Sequence, residues 1–126
     1  MSYVTVEHCG NDHHEWLASI EFYEKDLHIL ENRLSEIVSK NSSHDALEGA
    51  EHFQNQFIIQ KNTLQELRHD INEHEHYAKL DAERHAGHMN DAHAAKHDQI
   101  KEDFSSFEKI IKELRHEFNN YLSKWM

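Results

Sequence analysis

Apolar side chains recur along this chain at alternating spacings of three and four. From His13 the series runs through Trp16, Ile20, Tyr23, Leu27, Leu30, Leu34 and Ile37. These are the a and d sites of a heptad, which share one stripe of an α-helix. A second series reads Ala50, Phe53, Phe57, Gln60, Leu64, Leu67, Ile71, His74 and Ala78, and a third reads His93, His97, Ile100, Phe104, Phe107, Ile111, Leu114, Phe118, Tyr121 and Trp125. Between the first two, Asn41-Ser42-Ser43 breaks the period and offers hydroxyl and amide caps to a new helix. Gly87 suits the end of the second helix, and Asn90 or Asp91 suits the start of the third. The expected fold is all-α: an up-down-up antiparallel bundle of three long helices. Short connections turn each helix back on the last, so the first and third run parallel. Residues 1–10 are expected to form an N-terminal arm across one end, and 11–126 a single helical-bundle domain.

Some apolar residues fall outside these stripes. Phe22, Ile58 and Ile59 sit at b or c positions, and antiparallel alignment brings residue 22 near the level of residues 58–62. A contiguous apolar patch on a bundle surface marks an interface, so a homodimer, completing a larger bundle, is expected here.

Composition narrows the function. The chain has 126 residues, 13 Lys+Arg against 24 Asp+Glu, and a formal charge of −11. That acidity argues against nucleic acid as a partner, because phosphates are repelled. No apolar run approaches the roughly 18 residues of a membrane span, so no membrane partner is expected. No signal-peptide core is seen at the N-terminus, and a single Cys suits a reducing compartment, so the expected location is cytoplasmic. Cys9 has no base placed beside it by the pattern and reads as an incidental thiol.

The unusual figure is 14 His. Ten of them (His8, His13, His14, His69, His74, His76, His85, His88, His93 and His97) lie at the start of helix one, the end of helix two and the start of helix three. The topology gathers all three stretches at one end of the bundle. His28, His44, His52 and His116 read as solvated, and His85 and His88 fit the favourable dipole of a helix end as well as they fit a ligand role. His13, His74, His93 and His97, however, continue the stripes that elsewhere hold Leu, Ile and Phe. An imidazole buried without partners costs roughly 1–3 kcal/mol per unsatisfied group. A metal ion removes that cost and returns binding energy to the fold. His93 and His97 are one turn apart, the spacing of a chelating pair. Asp70, one turn before His74, is placed as a carboxylate ligand or as a partner to one.

With tight turns, His74 is expected level with residues 10 and 101, His97 about one turn further out and His93 two. The four core histidines then serve either two adjacent ions or one site with structural neighbours. Imidazole with a few carboxylates suits Fe or Zn first, and Ni or Cu as well.

The order of these elements resembles the hemerythrin-like cation-binding bundles. The resemblance implies a non-haem di-iron site that binds or senses oxygen. His13 or His14 would take the first helix's role, His69 and Glu73 the second's, and His93 and His97 the third's. The His-x4-Asp/Glu of that family's fourth helix occurs here only as His97-x4-Glu102, on the third. The heptad phase itself turns His74 and Asp70 inward and His69 and Glu73 outward. The ligand set expected from the stripes is thus His13, Asp70, His74, His93 and His97. The expected function is a His-rich transition-metal site at one end of the bundle, with dioxygen or another small molecule as its possible ligand and no catalytic group visible apart from the metal. The competing expectation is a metal-free interaction or dimerisation module.

Overall fold

Each of the three apolar stripes is buried against the other two. The computed structural model describes residues 6–84 and 91–126, and the side chains of these apart from residues 6–9, 81, 82, 84 and 91. Helix α1 spans Val6–Lys40, α2 His44–Arg84 and α3 Asp91–Trp125, with no strand among the described residues. The expected all-α fold is the one found. None of the helices is long and apolar enough to cross a membrane.

The break at residues 41–43 works as its sequence suggests. The Ser43 hydroxyl accepts from the Ala46 backbone N–H at 3.3 Å, capping α2. Asn41 donates from Nδ2 to the Ile37 carbonyl at 3.0 Å and to the Trp125 carbonyl at 3.1 Å, closing α1 and tying it to the end of α3. Gly87 and Asn90 lie outside the described residues. At the N-terminus, Val6 to Gly10 belong to α1, so the described part of the expected arm is helical.

Cross-helix pairs fix the directions. Partners between α1 and α3 keep an offset of 84 to 89 residues: Asp12 with His97, Tyr23 with Glu108, Asp26 with Arg115, and Asn41, just past α1, with Trp125. Numbers that rise together mean parallel helices. On α2 the numbers fall as those on α1 rise, with Glu24 paired to Arg68 at 2.6 Å and Glu31 to Lys61 at 3.1 Å. These helices are antiparallel.

Layers of three follow from this register. Ile20, Leu27, Phe57, Leu64, Ile71, Ile100, Ile111 and Phe118 are fully excluded from solvent. At the end where α1 meets α2, the layers are aromatic. Phe53 and Phe57 each meet Phe118 edge-on, at ring separations of 5.2 and 5.1 Å, and Phe53 also touches Tyr121 at 5.1 Å. Such pairs add about 0.5–1.5 kcal/mol beyond their burial. The Tyr121 hydroxyl donates to the Ala46 carbonyl, and the absence of a side chain at Gly49 makes room for its ring. Phe22, Ile58 and Ile59 are each about half exposed, as their off-stripe positions require.

Candidate metal centre

At the far end, the same three stripes deliver imidazoles in place of aromatics. His13 from α1, His74 from α2 and His97 from α3 are all buried, at 1%, 4% and 3% exposure. Their ring centres form a near-equilateral triangle with sides of 5.2 Å (His13 to His74), 5.3 Å (His13 to His97) and 5.8 Å (His74 to His97). One nitrogen from each ring can be chosen so that all three lie within 4.8 Å of one another. Ligands at metal–nitrogen distances of about 2.0–2.1 Å in a tetrahedral site stand about 3.4 Å apart. Closing the triangle onto an ion therefore needs at most about 1.4 Å, a movement within reach of ring rotation.

The nitrogens themselves are the clearest feature. Both ring nitrogens of His13 and both of His74 are buried with no hydrogen-bond partner among the described residues. Buried polar groups are almost always satisfied. Four orphans at about 1–3 kcal/mol each rival the total stability of about 5–15 kcal/mol typical of a domain.

Electrostatics keep these rings neutral. Burial pushes His74 down to about 4, helped by the neighbouring His13, His97 and His93 rings and by Lys96. His13 is also lowered, chiefly by burial and then by His97, with Glu75 and Asp12 opposing. A neutral imidazole presents a lone pair, the form that a metal requires.

The surroundings close the site on one side and open it on another. Trp16 lies against His97 at 4.9 Å and His13 at 5.4 Å, and then against Phe104 at 6.3 Å, forming the boundary with the apolar core. One turn outward, α2 and α3 place Ala78 and Ala94, both buried and small. A solvent-open cleft between α2 and α3 is lined by Asp70, Glu73, His74, Tyr77, His93 and Lys96, so His74 links the triad to it.

Each expected ligand can now be placed. His13, His74 and His97 come together. His93 is half-buried in the cleft, with its ring centre 6.0 Å from that of His74. Asp70 lines the same cleft, half-buried, outside the triad. His14 is exposed, as are His28, His44, His52, His69, His76 and His116. The side chains of His8, Cys9, His85 and His88 lie outside the described residues. His69 Nε2 lies 2.9 Å from Glu73 Oε2, and both side chains are exposed on α2, in agreement with the heptad phase.

The axial register differs from the tight-turn expectation. His13, His74 and His97 share one layer rather than standing a turn apart. The tight-turn expectation took the stagger from the length of the connections, whereas the three rings lie side by side. Sequence reasoning also missed Asp12, whose Oδ2 lies 2.8 Å from His97 Nε2. It sits beside the stripe, and its partner is 85 residues away. The one available signal was general: a buried imidazole calls for a carboxylate on an adjoining helix.

No protein-family model, curated protein or solved structure matches the chain. The site therefore stands on its own geometry.

Proposed function

We propose that this protein binds one transition-metal ion through His13, His74 and His97. The observation that carries this reading is the set of four orphaned ring nitrogens on His13 and His74, facing a third buried imidazole. Coordination satisfies a nitrogen on each ring and converts a destabilised end of the core into a folded-state ligand site. Three imidazoles suit Zn2+ or Fe2+ in the first instance, and Ni2+ or Cu2+ as well. His93 and Asp70 stand on the cleft side of the triad, where a fourth ligand from the protein or from solvent would enter.

A single-ion site fits better than the di-iron centre that a hemerythrin-like bundle implies. That centre draws on the pair His69 and Glu73, which here faces water. A site for dioxygen or another small ligand would have to use the cleft beside His74.

Elemental analysis of untagged protein, purified without chelator, tests the proposal. One ion per chain is expected for the parent and for the surface control His28→Ala. His13→Ala, His74→Ala and His97→Ala should each lose it. Equal metal in all five proteins, or none in the parent, contradicts the assignment.

The competing reading, a metal-free interaction module, draws on Phe22, Ile58 and Ile59, exposed at 58%, 47% and 50%. Sedimentation equilibrium distinguishes it: a dimer dissociated by Ile59→Glu, with no metal bound, would favour that reading.

A further inference from the structure

We infer that Asp12 is the positioning residue of the metal centre, holding His97 so that its Nδ1 is the ligating atom. This rests on the three-histidine reading above and deepens it. The Asp12 carboxylate lies 2.8 Å from His97 Nε2, and its side chain remains 24% exposed while His97 is 3% exposed. The carboxylate is thus hydrated on one side and bonded to a buried ring on the other. An ionised carboxylate only accepts, so the ring nitrogen facing it is the one carrying a proton. A metal ion and that proton cannot share Nε2. The other nitrogen, Nδ1, is buried and is the one that can offer its lone pair to an ion.

The arrangement is a carboxylate–imidazole–metal relay. The outer hydrogen bond selects the tautomer, fixes the ring about its Cβ–Cγ bond and raises the basicity of the ligand. It also makes the three histidines unequal. Among the described residues His13 and His74 have no such bond and are oriented by packing, whereas His97 is set in place before the ion arrives. Trp16, with its ring centre 4.9 Å from that of His97 and tilted by 33°, limits its ring from a second direction. His97 is then the fixed point of the site, and His13 and His74 close onto an ion that it already holds.

The test compares the full-length parent with Asp12→Ala and Asp12→Asn. Binding of Co2+ and Zn2+ is titrated, and the His97 tautomer is read by nitrogen–proton correlation NMR in the metal-free and zinc-loaded forms. In the parent, a proton on Nε2 of His97 is expected in both forms. Asp12→Ala should bind Co2+ and Zn2+ about 10–100-fold more weakly. Asp12→Asn, whose amide oxygen still accepts from Nε2–H, should recover part of that loss. The melting temperatures of the metal-free proteins should differ far less than their affinities, which separates positioning from general stability. A zinc-loaded parent with the His97 proton on Nδ1 overturns the inference. So does an Asp12→Ala affinity equal to that of a parent that binds tightly, although the metal site then survives. A parent that binds neither ion removes both readings together.

Discussion

The two ends of this bundle are built on the same heptad and have opposite chemistry. At one end Phe53, Phe57, Phe118 and Tyr121 fill the layers, and the single buried hydroxyl, on Tyr121, finds the Ala46 carbonyl. At the other end His13, His74 and His97 fill an equivalent layer, and the four ring nitrogens of His13 and His74 find no partner among the described residues. Among the described residues the first end satisfies its buried hydroxyl. The second leaves ring nitrogens unsatisfied and brings together three histidines that could hold an ion. The difference shows that burial alone does not identify a structural core, because the balance of polar atoms inside it matters as much.

The contrast is sharpest under large-to-small substitution. Phe118→Ala should lose about 3–5 kcal/mol in chemical denaturation, equally in metal-free and metal-loaded protein, with metal affinity unchanged. An affinity that fell in parallel would mean that the two ends are not independent. Acid should act on the opposite end. The folded-state value of His74, about 4, lies below the 6.5 of an unfolded histidine. Between those two pH values the unfolded chain holds more protons, so the metal-free fold weakens as the pH drops through the window. The loss from His74 is on the order of 3 kcal/mol, His13 shifts in the same direction, and no such loss is expected above pH 6.5. A denaturation midpoint constant from pH 7 to pH 4.5 would contradict this electrostatic account.

His74→Leu reverses the usual sign of a core mutation. It removes two orphaned nitrogens and fills the layer with an apolar group, so the metal-free protein should gain about 1–3 kcal/mol while losing its metal. A destabilised, metal-free His74→Leu protein would mean that the imidazole has an internal partner after all. The smallest effect is expected at Gly49. A Cβ there would lie 2.5 Å from Cε1 of Tyr121, a ring held by Phe53, Phe118 and the Ala46 carbonyl. Overpacking of about 1–3 kcal/mol should outweigh the roughly 1 kcal/mol gained by replacing a helical glycine. A net loss of about 1 kcal/mol is expected in thermal melts, with metal binding untouched.

Much of this was legible in the amino-acid order. The three stripes named the core from Ile20 to Tyr121, because a helical period is a local property that survives into the packed state. The inward turn of His74 and the outward turn of His69 and Glu73 followed from the same phase. Sliding of one helix along another did not follow. Stagger depends on how side chains from three chain segments pack at once, as Phe57 of α2 does against Phe118 of α3, so sequence spacing put His97 a turn too far from His74. Asp12 was hidden for a related reason: its role exists only once α1 and α3 lie side by side.

Calorimetric melting of metal-free protein, with and without excess Zn2+, tests the central claim most directly. Binding only to the folded state at a thousand times the dissociation constant adds about 4 kcal/mol. For a chain of this size that is a rise of at least about 10 °C, absent in His13→Ala and His74→Ala. An unchanged melting temperature in the parent would contradict the account and leave the buried histidines without a function.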